Sequence, residues 1–196
     1  MNKSICIFAS SSNNIDKKYF EDAKLLGELL AKNNYDIIYG GSNLGLMGCI
    51  TQNAKNMGSN IIGVMPEKLY NLGISQGPCD KFIVTKGMRE RKAKMDELSS
   101  GVIALAGGFG TLEELSEMIV QKQLGYNYKP IIILNTKGYY NNLINFFEDI
   151  VKHNFAHISS KKLFYVANTP NDAVNYLNDY KQEKINYLAD KIKKLT

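Results

Sequence analysis

Several signals that assign a function quickly are absent from this sequence of 196 residues. No apolar run approaches the roughly 20 residues that a transmembrane helix needs. The N-terminus enters an apolar stretch directly after Lys3, without the basic region, long apolar region and small-residue cleavage site of a signal peptide. We therefore expect a protein that is neither inserted in a membrane nor secreted.

Cysteine and histidine are scarce as well. The three cysteines, Cys6, Cys49 and Cys79, are far apart, odd in number and form no C-x-x-C pair, which favours free thiols in a reducing cytoplasm. The two histidines, His153 and His157, lie four residues apart, but no carboxylate–histidine motif surrounds them. The sequence therefore predicts no metal site and a cytoplasmic location.

Positive charge is concentrated at one end of the chain. The net charge is +5, and residues 181–196 contribute +3 of it, with five lysines against two acidic residues. The same segment spaces apolar residues at helical intervals, so we predict a basic, amphipathic C-terminal helix. Residues 1–180 carry only +2 and no basic cluster interleaved with aromatic residues, so we expect no nucleic-acid partner.

Short apolar runs alternate with longer amphipathic stretches along the chain. Such runs, almost uninterrupted by polar residues, are typical of strands covered on both faces. The alternation predicts an α/β protein with a parallel sheet and helices on both of its faces. No repeat or linker divides the chain, so we predict a single domain over residues 1–196. The predicted strands are 5–9, 36–39, 60–65, 82–85, 102–105, 130–134 and 163–167, and the main predicted helices are 16–33, 86–99, 111–124 and 138–153.

Three predicted strand-to-helix loops are rich in small residues, and such loops meet at the carboxyl edge of a parallel sheet. Residues 10–14 are Ser-Ser-Ser-Asn-Asn, residues 40–48 contain four glycines, and residues 107–114 contain three. Glycine lets the backbone approach an anion, and a helix N-terminus offers free N–H groups and the positive end of a dipole. The pattern favours a phosphate-binding edge, although glycines that only form tight turns would give the same pattern.

Two nucleotide-binding motifs are missing from these loops. G-x-G-x-x-G does not follow the first predicted strand, and G-x-x-x-x-G-K-[ST] is not present at all. These absences disfavour hydride transfer with a dinucleotide and hydrolysis of a nucleoside triphosphate. A nucleoside monophosphate or a similar sugar phosphate remains as the ligand, with no cofactor required.

Cations occupy the start of the predicted helix 86–99. Arg89, Arg91 and Lys92 lie in its first turns, where the helix dipole disfavours positive charge. A bound anion nearby would explain this placement, since arginine offers a planar fork of donors to phosphate. The alternative is a solvated helix face on which Glu90 compensates the charge.

Three motifs in this order and spacing give the chain a resemblance to a known family. They are Gly40-Gly41 with Gly-Leu-Met-Gly at 45–48, Met88-x-x-Arg91-Lys92, and Gly107-Gly108-x-Gly110-Thr111-x-x-Glu114. The chain resembles the Lonely Guy (LOG) family of nucleoside 5'-monophosphate phosphoribohydrolases, which release cytokinin bases, and the resemblance covers nearly the whole chain. It implies a three-layer, Rossmann-like α/β/α sandwich of about seven strands. It also implies a homodimer or a larger homo-oligomer.

The resemblance further implies a reaction and a site. The reaction is hydrolysis of the N-glycosidic bond of AMP or N6-modified AMP, giving the free base and ribose 5-phosphate. Arg91 and Glu114 correspond to the catalytic pair of the family. The three loops and the resemblance together predict these substrate- and phosphate-binding residues: Ser10, Gly41, Gly45, Met88, Lys92, Gly107, Gly108, Phe109, Gly110 and Thr111.

Glu114 can be assigned two roles. Cleavage of an N-glycosidic bond develops positive charge on the ribose, which an ionised carboxylate would stabilise while Arg91 orients the substrate. We expect the helix dipole to lower the pKa of Glu114, which lies in the first turn of the predicted helix. Thr111 and Glu114 also fit an S/T-x-x-E capping box, in which the glutamate only ties off the helix N-terminus.

Some positions depart from the family pattern. Ala106 stands where proline is common, Ser100 where aspartate is common, and Val120-Gln121 where Thr-Trp is frequent. These changes leave the preferred base open. Two other readings also remain: a non-catalytic carrier or sensor that binds a nucleotide or cofactor with the same loops, and a Rossmann-like DNA-processing protein, which the weakly charged body disfavours.

Overall fold

A computed structural model describes residues 3–73 and 77–182 of the protein. The C-terminal helix predicted over residues 181–196 therefore lies outside the described residues, except for Lys181 and Gln182. The strands are β1 (Lys3–Phe8), β2 (Tyr35–Tyr39), β3 (Ile61–Pro66), β4 (Lys81–Thr85), β5 (Gly101–Ala104), β6 (Ile131–Leu134) and β7 (Tyr165–Ala167). The helices are α1 (Lys17–Lys32), α2 (Gly45–Asn56), α3 (Glu67–Asn71), α4 (Met88–Leu98), α5 (Phe109–Gln123), α6 (Asn141–Lys152) and α7 (Pro170–Asp179).

The strands form one parallel sheet in the order β4-β3-β2-β1-β5-β6-β7. The central strand β1 pairs with β2 on one side, where Ile5 lies opposite Ile37, and with β5 on the other, where Ile5 lies opposite Gly101. The strand order reverses between β1 and β5, so the loops that follow these two strands diverge. Ligands of open α/β sheets bind in the crevice that such a reversal leaves.

Both faces of the sheet are buried, which explains why the strands are almost continuously apolar. Ile5 and Ile7 of β1 join the core under α1, α2 and α7, whereas Cys6 and Phe8 of the same strand join the core under α4, α5 and α6. The structure thus has three layers, and the predicted α/β/α sandwich is confirmed. Within the described ranges, no helix is both long and apolar enough to span a bilayer.

Local sequence signals set several helix ends. The Asp16 carboxylate accepts a hydrogen bond of 2.8 Å from the Lys18 N–H at the start of α1. The Thr169 hydroxyl accepts one from the Asp172 N–H at the start of α7, where Pro170 takes the first helical position. Proline is well suited to this position because the N–H that it lacks would have no partner in the helix. These caps set the residues at which α1 and α7 begin.

Candidate active site

The three loops predicted to bind the ligand meet at the carboxyl edge of the sheet. Ser10, directly after β1 and Ala9, joins the other two loops through its backbone. Its N–H donates to the Ala106 carbonyl over 3.1 Å, and its carbonyl accepts from the Leu46 N–H over 2.9 Å. We call residues 40–48 the first turn and residues 107–111 the second turn. Ser10 is therefore part of the frame that holds the two turns beside each other.

The backbone conformation and packing of the first turn require glycine at most of its glycine positions. Gly41 and Gly45 have φ angles of +84° and +57°, a region that side-chain-bearing residues rarely adopt. A Cβ on Gly45 would also lie 2.5 Å from the Ser11 carbonyl carbon, and one on Gly48 would overlap the Asn43 carbonyl oxygen. These three glycines shape the turn and let it pack against the loop after β1.

Gly40 instead makes room for a side chain of the predicted site. A Cβ at this position would overlap Nη2 of Arg91 and lie 3.1 Å from the Met47 sulfur. The guanidinium of Arg91 therefore lies directly against the backbone at the end of β2. The first turn contributes to the site through this contact.

The second turn leads into α5, and its glycines differ in their surroundings. A Cβ on Gly107 would overlap the Thr111 hydroxyl, so packing within the turn requires glycine there. A Cβ on Gly108 or Gly110 would have no neighbour within 4 Å among the described residues, and neither has a positive φ. Gly108 is the N-cap residue of α5, and Phe109 beside it is 92% exposed. The absence of side chains at Gly108 and Gly110 leaves open space at a helix N-terminus.

Arg91 and Glu114 meet as a buried ion pair next to this turn. Nη1 of Arg91 donates to Oε1 of Glu114 over 2.6 Å, and both side chains are about nine-tenths buried. Nε of Arg91 also donates to the Val64 carbonyl in β3, over 3.1 Å. The guanidinium is thus held by a strand, a helix and the Gly40 backbone, so its orientation is fixed before any ligand binds.

The expected lowering of the Glu114 pKa is wrong. Burial raises the pKa of Glu114 above its ordinary value, and the charge and hydrogen bond of Arg91 only partly oppose this. The position of Glu114 in the first turns of α5 would by itself lower its pKa. Because the side chain is desolvated by residues distant in sequence, burial outweighs the helix dipole.

The capping-box reading of Thr111 and Glu114 is also wrong. Gly108 is the N-cap residue of α5, and Thr111 is a buried residue inside the first turn of the helix. The Glu114 carboxylate bonds to Arg91 instead of to a backbone N–H at the helix start. Glu114 is therefore available to the site.

Met88 and Lys92, the other predicted site residues on α4, are not part of the Arg91–Glu114 ion pair. Met88 begins the helix and is 46% exposed. Lys92 makes ion pairs with Glu113 and Glu117, both on α5. Arg91 and Lys92 thus both bridge α4 and α5, but only Arg91 does so in the buried layer. A substrate contact by Met88 or Lys92 stays a prediction.

Two tyrosines behind the second turn were not assigned to the site from the sequence. The Tyr139 hydroxyl donates to the Gly107 carbonyl, and the Tyr140 hydroxyl donates to the Leu105 carbonyl, each over 2.7 Å. Both directly follow Gly138. Nothing in the local pattern shows where these hydroxyls point, because that depends on how β6 pairs with β5.

A large apolar cavity lies elsewhere, on the outer side of α5. It has a volume of about 400 Å³ and is bounded by α5, α6 and the segment leading into β7, including Val120, Phe147 and Tyr165. Neither Arg91 nor Glu114 lines it, so it is separate from the candidate active site. In residues 3–73 and 77–182, no group of three or more His, Cys, Asp or Glu side chains could hold a metal ion.

Comparison with known proteins gives consistent relatives. A family model described as "Possible lysine decarboxylase" matches residues 47–177. An Oryza sativa subsp. japonica protein named "Probable cytokinin riboside 5'-monophosphate phosphoribohydrolase LOGL2" is 40% identical over 90% of this chain and 72% of its own length. Cytokinin riboside 5'-monophosphate phosphoribohydrolase LOG1 of Arabidopsis thaliana is 38% identical over 93% of this chain and 87% of its own.

Solved structures share the architecture at lower identity. The molybdenum cofactor binding protein of Rippkaea orientalis superposes with a TM-score of 0.69 and 23% identity, over 91% of this chain and 96% of its own. The Moco carrier protein of Chlamydomonas reinhardtii gives a TM-score of 0.68 with the same identity and coverage. At this identity the likeness supports the fold, and it carries no information on the ligand.

Proposed function

This chain belongs to the Lonely Guy family, and from this premise we propose that it hydrolyses nucleoside 5'-monophosphates. The bond cleaved is the N-glycosidic bond, the substrate is AMP or an N6-modified AMP, and the products are the free base and ribose 5-phosphate. The curated relatives named above are phosphoribohydrolases of this kind. The family model's description as a decarboxylase receives no support from the residues of the site, because Lys92, the lysine predicted for the site, is engaged in ion pairs with Glu113 and Glu117.

One observation carries the proposal: a buried, oriented arginine–glutamate pair borders an open helix N-terminus. Nη1 of Arg91 lies 2.6 Å from Oε1 of Glu114. Glu114 is on α5, and no side chains fill the space beside Gly108 and Gly110 at the N-terminus of this helix. The Arg91–Glu114 pair offers charged groups that would act on a ribose, and the open turn offers N–H groups that would bind an anion. A 5'-mononucleotide carries a ribose and a phosphate anion in one molecule.

The second turn supports phosphate binding. The first N–H groups of α5, from Phe109 to Thr111, have no partner inside the helix because of helix geometry. They lie at the positive end of the helix dipole, where phosphate is stabilised. The missing side chains at Gly108 and Gly110 would allow a phosphate to reach these N–H groups without displacing protein atoms.

The ion pair supports cleavage at the sugar. Departure of the base leaves positive charge on the ribose, and a carboxylate close to the anomeric carbon stabilises it or takes a proton from the attacking water. Burial raises the pKa of Glu114, which makes its carboxylate a stronger base than an exposed one. Arg91, held by Val64 and Glu114, would hold the ribose or the phosphate in the reactive orientation.

We also propose a homodimer that acts in the cytoplasm. Val120 lines the apolar cavity beside α5 and α6 and is itself exposed, and Leu124, directly after α5, and Phe146 of α6 are exposed apolar side chains as well. Clustered exposed apolar side chains are typical of a face that binds another protein surface. The three cysteines are free, as expected in a reducing compartment.

The experiment follows the release of base. Wild-type protein is incubated with AMP and, separately, with isopentenyladenosine monophosphate, and free base and ribose 5-phosphate are quantified. The variants Glu114→Gln and Arg91→Ala are expected to lose about 10²–10⁴-fold in kcat, the usual contribution of a positioned acid–base group. Size-exclusion chromatography with light scattering on the same samples tests the dimer.

The matched control is Glu97→Gln. Glu97 also pairs with a cation of α4, Lys94, but its carboxylate is exposed. Normal activity in this variant would show that loss of an ion pair on α4 is not itself inactivating. Cleavage of neither nucleotide by wild type, together with binding of either one, would favour the carrier reading over hydrolysis. Full activity in Glu114→Gln would contradict the catalytic assignment.

A further inference from the structure

We propose that Tyr139 is a positioning residue for phosphate binding: its hydroxyl fixes the Gly107–Gly108 peptide so that the Gly108 N–H is presented to the 5'-phosphate. This inference rests on the function proposed above and adds a residue outside the predicted site. The hydroxyl lies 2.7 Å from the Gly107 carbonyl oxygen and donates to it. The N–H of the same peptide unit belongs to Gly108, the N-cap residue of α5.

Because the peptide unit is planar, this hydrogen bond also sets the direction of the Gly108 N–H. The described residues contain no cis peptide bond, and in a planar trans peptide the C=O and N–H point in opposite directions. A donor that holds the Gly107 carbonyl therefore directs the Gly108 N–H away from the Tyr139 ring. A Cβ on Gly108 would meet no described atom within 4 Å, so a ligand can approach this residue.

Such a constraint matters because glycine is the least restricted residue. Gly107 and Gly108 are adjacent, and a peptide between two glycines rotates more readily than any other. Rotation of this unit would turn its N–H away and bring its carbonyl oxygen towards a bound anion. Since Gly107 is glycine to accommodate Thr111, the turn cannot be stiffened by a side chain there, and the Tyr139 hydroxyl supplies the stiffness from outside.

Tyr139 is itself held from several sides. Its ring makes edge-to-face contacts with Tyr19 and Tyr140, at centroid distances of 5.9 and 4.9 Å. Its N–H donates to the Thr136 carbonyl over 3.1 Å, and the Thr136 hydroxyl donates to Asp22 of α1 over 2.7 Å. The phenol is therefore a fixed support, since moving it would disturb contacts to α1 and to its own loop.

The test compares Tyr139→Phe with wild type, because phenylalanine keeps the ring and removes only the hydroxyl. One neutral hydrogen bond corresponds to about a three- to tenfold effect, so we expect the KM for AMP and the Ki of ribose 5-phosphate to rise by about this factor. The expected change in kcat is less than about twofold, and the Ki of adenine is expected to stay unchanged. A general loss of structure would not separate phosphate from base in this way.

The control is Tyr35→Phe, which removes a tyrosine hydroxyl bonded over 3.0 Å to Asn178; Tyr35 begins β2 and therefore lies at the amino edge of the sheet, opposite the edge that carries the second turn. We expect wild-type constants from it. A second readout is the backbone amide resonance of Gly108 in ¹⁵N-labelled protein titrated with ribose 5-phosphate. The expected result is a shift in wild type that needs a higher ligand concentration in Tyr139→Phe.

The outcomes separate this inference from the proposed function. If wild type releases base and Tyr139→Phe has the same Ki for ribose 5-phosphate, Tyr139 has no positioning role although the function stands. If wild type releases no base, the function fails, and the Gly108 titration still decides on Tyr139. An unshifted Gly108 amide in ligand-saturated wild type would overturn the inference in either case.

Discussion

The two glycine-rich turns of the sheet edge have similar composition but different reasons for it. In the first turn, Gly41 and Gly45 have positive φ angles and Gly48 packs on backbone, so the fold itself requires glycine. In the second turn, Gly108 and Gly110 have ordinary φ angles and no described atom near the position of a Cβ. The described contacts do not require glycine there, which supports the proposal that this turn binds a ligand. The surroundings of a glycine, and not its presence, distinguish a structural turn from a binding turn.

The largest expected effect tests the first turn. Gly45→Ala places a side chain at a positive φ and against the Ser10–Ser12 backbone. Left-handed strain and overpacking together should cost about 3 kcal/mol of unfolding free energy. Chemical denaturation measures this cost. A variant as stable as wild type would show that the first turn, too, has unused space, and the distinction between the turns would fail.

A smaller effect is expected where the first turn touches the site. Gly40→Ala would push the Arg91 guanidinium from its place, and a displacement of about 1 Å at a catalytic group can cost up to about a hundredfold in rate. We expect a ten- to hundredfold loss in kcat/KM, with a smaller loss of stability than in Gly45→Ala because a side-chain end can move. Steady-state kinetics and denaturation on the same sample check both parts.

Replacing a glycine of the second turn should have the opposite effect on stability. Gly110→Ala removes a glycine from α5 and should raise the unfolding free energy by about 0.5–1 kcal/mol. The added methyl group would occupy the space proposed for the phosphate, so the KM for AMP should rise about tenfold, the equivalent of one charge-assisted hydrogen bond. Greater stability with weaker substrate binding is the result to measure. A stabilised variant with an unchanged KM would remove the argument for a ligand at Gly110.

The smallest expected effect concerns pH and involves Glu114, which lies on α5 just after the second turn. In the proposed mechanism the active form of Glu114 is the carboxylate. Because burial raises the pKa of Glu114, acidification should lower kcat/KM at a higher pH than it would with an exposed glutamate. The charge of Glu113 also raises the pKa of Glu114. Glu113→Gln should therefore move the acidic limb of the pH–rate profile to lower pH. A shift to higher pH would contradict the assignment of this limb to Glu114.

Much of the fold could be predicted from local pattern. The predicted strands 36–39 and 102–105 differ by only a residue or so from β2 and β5, because runs such as Ile-Ile and Val-Ile-Ala are apolar on both faces. The order of the strands could not be predicted in the same way. Pairing of Ile5 with Gly101 joins residues far apart in sequence, and no periodicity records it.

In the site, too, the features that depend on contacts between distant residues could not be predicted from the sequence. The family resemblance singled out Arg91 and Glu114, whereas the local pattern alone fitted a charged helix face and a helix cap equally well. The structure brings the two side chains together in an ion pair, and their catalytic role stays a prediction. The sequence assigned the pKa of Glu114 in the wrong direction, since the desolvating neighbours come from other elements. It also gave Gly45 and Gly110 the same role, because the contacts that separate them are tertiary.

The strand order has a consequence for how activity arises during folding. Residues up to α4 build the half of the sheet from β1 to β4, and residues from β5 onwards build the other half. Arg91 belongs to the first half and Glu114 to the second, so their ion pair closes only when β1 has paired with β5. Neither half could cleave a nucleotide alone. With the catalytic role proposed for this pair, recovery of hydrolysis after dilution from denaturant would report when the two halves of the sheet have joined.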